Sequence, residues 1–256
     1  VLFVKKDKTH QGYMWVVVDP RTRNTYFEYR EGRNRAGPRL MLKDFQGKVQ
    51  SDGYVVYDVI DAELSDIDHY NCWTHARRKF IEALTDNKAV CEHALTLIQK
   101  LYEVEAGCRN DNCSLDERYE RRQTYSLPIL ESLKEWMDQQ ALVITPGCPT
   151  GKAIAYCNRR WTNLIKYANT GNVEIDNNLV ENAIRPLALG RKNYLFAGGH
   201  DAAVNIGYYY TVFSTCKAQD VNPYDYALWY LRKINNTKIT EIDTLTPSAY
   251  KKLVVN

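Results

Sequence analysis

Seven cysteines without one CxxC pair or a regular spacing (Cys72, Cys91, Cys108, Cys113, Cys148, Cys157 and Cys216) exclude both a disulfide framework and a zinc ribbon. Reduced thiols in a cytoplasm are the simplest reading of them. Apolar runs stop short of the ~18 residues of a membrane span, and no basic-then-apolar leader opens the chain, so no membrane partner is expected. Net charge is low too: 34 basic and 31 acidic residues leave +3. Overall charge therefore does not call for nucleic acid, and local clustering must carry any such claim. Internal repeats and low-complexity tracts are missing, which excludes a solenoid or a disordered linker. What remains is an ordinary globular composition, 45% hydrophobic over 256 residues, enough for one large domain or two small ones around a real core.

Along the chain, GYMWVVVD (12–19) and TYFEY (25–29) alternate around the turn residues PRTRN, which predicts a β-hairpin. RLMLKDF after Gly37 and Pro38 predicts a short helix. KVQSDGYVVY (48–57) predicts a strand ending at Ser51, Asp52 and Gly53, then an aromatic helix start. Ligands in open α/β sheets gather outside the carboxyl ends of strands, so Asp52 is a candidate for function; capping the following helix is the plain alternative. DHYNCWT (68–74) predicts another strand, and HARRKFIEAL (75–84) a helix with Arg77, Arg78 and Lys79 in its first turn. Cations there oppose the helix dipole, so either a phosphate partner or three solvated side chains explains them. His75 alone reads more readily as a structural hydrogen-bonder than as a ligand.

From about Lys79 to Ala168 the spacing is helical. Ser114 with Glu117 suggests a capping box, Pro128 fits a first-turn proline, and Gly171 closes the last helix. Arg118, Arg121, Arg122, Arg159 and Arg160 in this block either touch nucleic acid or are ordinary charged helix surface. Further on, IGYYYTVFSTCKA predicts a buried helix and VNPYDYALWYLRKI a second, started by Asn222 and Pro223. LTPSAYKK reads as a loose tail.

The densest chemistry lies in EIDNNLVENAIRPLALGRKNYLFAG (174–198). Asp176 is a good N-cap, Asn177 and Asn178 follow it, and Leu179, Ala183, Ile184 and Leu187 recur at helical spacing. Glu181 then sits on an early helical turn with Arg185, Arg191 and Lys192 beyond it. A carboxylate beside cations suits a site holding a metal and a polyanion together. An amphipathic helix with a Glu181–Arg185 pair and a solvated basic turn is the alternative.

Set in order, LKDFQGKVQSDGYVVYD, NCWTHARRKFIEAL, KLYEVEAGCR, GKAIAYCNRRW, EIDNNLVENAIRPLALGRKNYLFAGG and NPYDYALWYL make the chain similar to the bacterial insertion-sequence transposases of the IS66 type. The resemblance implies a DDE transposase catalytic domain that cuts and joins DNA at insertion-sequence ends. Its expected fold is α/β: an RNase H-like mixed five-stranded sheet flanked by helices, with a large all-helical insertion between the second and third acids. It implies residues 1–79 as the N-terminal part of that domain, 80–170 as the insertion, 171–235 as the part carrying the Glu, and 236–256 as a tail. Asp52 of SDGY looks like the second catalytic, metal-binding acid and Glu181 of DNNLVEN the third. In such a site two Mg2+ (or Mn2+) ions clamp the attacking and leaving oxygens. Asp176, Asn177 and Asn178 would support the Glu181 turn. His75, Arg77, Arg78, Arg185, Arg191 and Lys192 would bind DNA, the last three through its phosphates and without sequence reading.

The family's first acid, in an Asp-Glu-Thr/Ser stretch, has no counterpart here. Asp7 lies in a Lys-rich turn and Asp19 ends the wrong strand, so the acid is expected upstream of Val1, with the first strand truncated and this chain inactive alone. Asn182 stands where many relatives have Arg. The resemblance further implies element-end and target DNA as partners, a homo-oligomer in the active complex, accessory transposition proteins, and a cytoplasmic, nucleoid-associated location in a bacterium. A truncated remnant that binds DNA or a partner without chemistry, and a stand-alone nuclease of the same fold, are the other readings.

Overall fold

The computed structural model describes residues 2–5 and 8–254, the first of these segments and Lys8 by their backbone alone; Asp7 lies outside the described residues. The chain divides into two compact units, 1–37 with 178–256, and 38–177. Among the described residues, six strands pair in three two-stranded sheets and the rest is predominantly helical.

The first unit opens with β1 (Leu2–Lys5) antiparallel to β2 (Lys8–Gln11), then the expected hairpin of β3 (Tyr13–Val18) and β4 (Thr25–Arg30). Strand alternation turns Thr25 and Phe27 inward on one face, while Tyr26 and its cross-strand partner Val17 stay exposed on the other, where Trp15 is buried over Gly37. After α1 (Ala36–Leu42), which runs across the division, the unit resumes with α8 (Asn178–Tyr194), α9 (His200–Ala218), α10 (Pro223–Lys233) and α11 (Pro247–Val254). Helix α9 packs on β4. Thr211 Oγ1 accepts from Phe27 N at 2.9 Å and Thr215 Oγ1 from Thr25 N at 3.0 Å. Two residues of strand and four of helix both span about 6 Å, so the two threonines match the strand's free N–H groups.

The second unit holds β5 (Gly47–Ser51), α2 (Asp58–Glu63), β6 (Ile67–Asn71), α3 (Trp73–Glu82), α4 (Lys88–Asn110), α5 (Leu115–Arg121), α6 (Leu127–Val143) and α7 (Pro149–Ile165). Strands β5 and β6 are parallel, from Gly47 opposite Ile67 to Ser51 opposite Asn71. A core of Trp73, Phe80, Ile98, Leu101, Leu130, Leu133, Met137, Ile154, Leu164 and Tyr167 joins α3, α4, α6 and α7. Each large apolar side chain enclosed this way contributes about 1.5–3 kcal/mol before the entropic cost.

Several local expectations change. Helix α3 starts at Trp73, not His75, so Arg77, Arg78 and Lys79 lie beyond its first turn, and Lys79 falls in the last one. A cation there favours the dipole rather than opposing it. Ser114 does form the capping box with Glu117. Pro128 stands in the first turn of α6 as expected, although the chain enters α6 from α5 through a π turn at Arg122–Ser126. Gly171 closes no helix, since α7 ends at Ile165 and a 3-10 turn follows over Lys166–Asn169. A Cβ on Gly171 would run into the Leu115 carbonyl oxygen, so the residue is small because two backbones touch there.

Helix α9 is not buried all round: Tyr208, Tyr209 and Phe213 are exposed, the last two stacked at 6.3 Å. The tail is helical. In α11, Pro247 is buried, Ser248 meets Gln219, and Lys251 Nζ donates to the Gln219 carbonyl at 2.5 Å.

Candidate active site at the carboxyl end of the parallel strand pair

Strands β5 and β6 stop together. Cys72 N donates to Ser51 O at 3.1 Å, one step past the last ladder pair, and the chain leaves at Asp52 on one strand and Cys72 on the other. Asp52 Oδ1 accepts from Tyr54 N at 2.9 Å, an Asx turn that aims the chain into the 3-10 turn Val55–Tyr57 and α2. Part of the plain alternative is thus realised, although only one carboxylate oxygen is used. The Asp52 carbonyl accepts from Tyr156 Oη at 3.3 Å and the Gly53 carbonyl from Arg160 Nη2. Gly53 has φ +71, and a Cβ on it would run into the Tyr156 hydroxyl and lie 2.7 Å from Arg160 Nε. Burial pushes the Tyr156 phenol up to about 12, with Arg160 opposing and the Asp52 charge adding a little.

The same edge receives the segment Val173–Asn177, which leads directly into α8. Gln50 Nε2 donates to Glu174 O at 2.8 Å, Trp73 N to Ile175 O at 3.1 Å, Thr74 Oγ1 to Asp176 Oδ2 at 3.3 Å and Asn177 N to Cys72 Sγ at 3.4 Å. Asp176 is therefore held by Thr74 two residues before α8 begins. Burial raises the Cys72 thiol to about 11, the Asn177 N–H opposing and the Asp176 charge adding. Asp52, Asp176 and Asn177, with His75 half-buried and Arg77 and Arg78 exposed on α3, all belong to the second unit.

Asn178, Glu181, Arg185, Arg191 and Lys192 belong to the first unit. Glu181 is in the first turn of α8 and half-buried; Arg185, Arg191 and Lys192 are exposed, the last two in the final turn. Leu187 anchors the helix, and Tyr210 Oη donates to the Pro186 carbonyl at 3.3 Å. Asp52 and Glu181 thus sit on different units. Among the described residues, no three His, Cys, Asp or Glu side chains form a group that could hold a metal ion.

Three of the five insertion arginines are structural rather than available to nucleic acid. Arg122 is fully enclosed and donates to Glu105, also fully enclosed, and to the Tyr167 and Thr170 carbonyls. Arg118 joins Glu105 to Glu174, each by Nη2 at 2.6 Å, and Arg160 is buried against Gly53 and Asp58. Arg121 pairs with Asp111 at 2.6 Å, leaving Arg159 exposed. Burial works against the Arg118 charge, but Glu174 and Glu105 win and hold its pKa above the ordinary value.

One cluster escaped the sequence reading. His69 Nδ1 lies 2.9 Å from Asp61 Oδ2, and its Nε2 lies 2.8 Å from Ser51 Oγ. The parallel register puts Ser51, His69 and Asn71 on one face, so the signal is polar residues at period two, visible only once the strands are aligned.

The family model described as "Transposase IS66 family" matches residues 1–205. Three curated proteins of Sinorhizobium fredii (strain NBRC 101917 / NGR234) are similar. The uncharacterized protein y4jD is 28% identical over 87% of this chain and 45% of its own length. Uncharacterized y4hP is 28% identical over 96% and 49%, and uncharacterized y4qI 29% over 88% and 43%. The chain spans less than half the length of each of them. No solved structure matches it.

Proposed function

The chain belongs to the transposase IS66 family, and on that footing we propose that it forms the catalytic domain of a DDE-type DNA transposase, performing metal-dependent phosphodiester hydrolysis and strand transfer at insertion-sequence ends. On this reading the fold is RNase H-like, and the helices between α3 and α8 are the insertion separating Asp52 from Glu181. The observation that carries the reading is the carboxyl end of β5 and β6. Asp52 leaves β5 there, and the lead-in to the helix of Glu181 is hydrogen-bonded to Cys72, Trp73 and Thr74, which follow β6.

Carboxylate oxygens are the donors a hard divalent cation prefers, and Asp52 commits only Oδ1 to the backbone. Asp52 and Glu181 fit Mg2+ or Mn2+ and would hold the ions, with Asp176, Asn177 and Asn178 in support. When bound, two such ions act as Lewis acids on the attacking and leaving oxygens of a phosphodiester. The chain's own contribution is to fix the acids on rigid elements and to offer DNA contacts: Arg185, Arg191 and Lys192 from α8 to its phosphates, and His75, Arg77 and Arg78 from α3. Such contacts position DNA and weaken steeply with salt. Element ends and target DNA are the substrates on this reading. A homo-oligomer pairing two ends, accessory transposition proteins and a location at the bacterial nucleoid go with it.

The test uses the protein at its full natural length and DNA carrying an element end. Asp52→Asn and Glu181→Gln should each abolish Mg2+-dependent strand cleavage while DNA binding, followed by mobility shift, is largely kept. Cleavage retained in both variants overturns the reading.

A further inference from the structure

The turn that carries Asp52 is fixed from behind by a relay of three side chains. Asp61 is on α2, His69 on β6 and Ser51 at the end of β5, and all lie in the second unit. Ser51 and His69 are 4% and 2% exposed, whereas the Asp61 side chain is 45% exposed. The Asp61 carboxylate favours the Nδ1–H tautomer, and in that tautomer Nε2 is an acceptor that faces two donors, the Ser51 hydroxyl at 2.8 Å and Asn71 Nδ2 at 3.4 Å. The Ser51 hydroxyl then spends its proton on His69. Its oxygen accepts from Gly53 N at 3.4 Å and from Asn71 Nδ2 at 3.3 Å, which uses both lone pairs.

The same three residue types serve hydrolases as base-activated nucleophiles. Here the serine is enclosed and its oxygen is already committed to two donors, so there is no nucleophile to activate. What the hydroxyl does instead is hold the Gly53 amide one peptide beyond Asp52.

We propose that His69, oriented by Asp61, is a positioning residue that acts through Ser51 to fix the Asp52–Gly53 turn and with it the direction of the Asp52 carboxylate. The use of that carboxylate for a divalent cation rests on the function proposed above; the relay itself does not. Asn163 supplies the switch that makes it testable. Its Nδ2 donates to Asp61 Oδ2 at 2.9 Å and lies 3.3 Å from His69 Nδ1. Without the Asp61 carboxylate, the Asn163 amide becomes the donor to Nδ1 and the ring proton moves to Nε2. Three donors then converge on the Ser51 oxygen, and the Gly53 amide loses its place.

The experiment is nuclear magnetic resonance on the 15N-labelled chain at about pH 8, where an ordinary histidine is neutral. Two-bond 1H–15N correlations read the His69 tautomer, hydrogen exchange reads the Gly53 amide, and Mn2+-induced broadening reads the metal at Gly53 and Tyr54. Wild type should show the Nδ1–H tautomer. Asp61→Ala, an exposed site that leaves the core intact, should show Nε2–H, about three- to tenfold faster exchange at Gly53, and weaker broadening at Gly53 and Tyr54. Ser51→Ala should speed Gly53 exchange without moving the ring proton. An Nε2–H tautomer in wild type, or unchanged Gly53 exchange in both variants, overturns the relay. Broadening that is missing from wild type, or that survives Asp52→Asn, overturns the metal reading of Asp52 instead; the tautomer and the exchange rates decide the relay on their own.

Discussion

Arg122 and Glu105 face each other as a two-pronged pair with no solvent on either side chain, Nε to Oε1 at 2.7 Å and Nη2 to Oε2 at 2.8 Å. The arginine stands in the π turn between α5 and α6 and the glutamate on α4. Removing one partner of such a pair costs up to about 3–5 kcal/mol. Arg122→Met leaves the enclosed Glu105 carboxylate to Arg118 alone and should lower the urea unfolding free energy by up to about that much. Glu105→Leu combined with Arg122→Met should recover part of the loss, because the under-compensated buried carboxylate is then gone. A double variant as unstable as the sum of the two single ones would show that the pair is not coupled.

The outer end of this network gives a pH dependence with a definite sign. The Arg118 guanidinium holds the Glu174 carboxyl below its ordinary value, against the effect of burial. A carboxyl depressed by folding contributes stability above its unfolded pKa, near 4.3, and the contribution disappears as pH falls through the folded value. The Glu174 side chain is 42% exposed, so the effect is under about 1 kcal/mol. Glu174→Gln should flatten the acid limb of stability below about pH 4.5 and leave its slope at neutral pH unchanged. Part of the limb should remain, because Thr150 and Ser114 depress Asp86 and Glu117 in the same direction. Urea titrations at a series of pH values measure both slopes.

Legibility in the sequence followed the range of the interaction. Hairpin β3–β4, the strand before Asp52, the capping box at Ser114 and the Asn222–Pro223 helix start were all readable, because alternation, capping and turn chemistry act within a few residues. The burial of Arg118, Arg122 and Arg160 was not, because their partners lie 13 to 107 residues away. Nor could the string around Tyr208 say that its aromatics face outward, since an all-apolar helix pattern carries no direction. The position of Asp52 directly after a strand was legible too. His69 was not, because its meaning depends on a register that only the folded pair of strands supplies.

Gly53 tests the tight fit behind Asp52. At φ +71 a side chain is strained by about 1–2 kcal/mol, and its Cβ would also displace the Tyr156 hydroxyl that donates to the Asp52 carbonyl. Gly53→Ala should destabilise the protein by at least that amount and shift the Tyr156 ring resonances. Gly147, with nothing within 4 Å of an added Cβ, should accept alanine with a change within about 0.5 kcal/mol.

The thiols provide a check on enclosure. Burial raises Cys157 to about 12 and Cys72 to about 11, and only the thiolate attacks an alkylating reagent. At neutral pH both cysteines should resist iodoacetamide in the folded protein and react in urea, as read by peptide mass. Rapid native labelling of Cys72 would mean that the contact between Asn177 and its sulfur opens readily.

The outward face of α9 predicts a contrast in stability within one unit. Tyr209 and Phe213 stack on each other but are 63% and 46% exposed, whereas Phe27 of β4 is 1% exposed and packs beside Tyr210 of the same helix. Surface positions that fill no core space change stability by about 0.5 kcal/mol or less, while emptying an enclosed phenylalanine site costs about 3–5 kcal/mol. Tyr209→Gln and Phe213→Gln should each leave the thermal midpoint nearly unchanged, and Phe27→Ala should lower it by many degrees. If the two glutamine variants proved as damaging as Phe27→Ala, the helix would have to be covered on that side in solution, and the whole of its aromatic run would count as core.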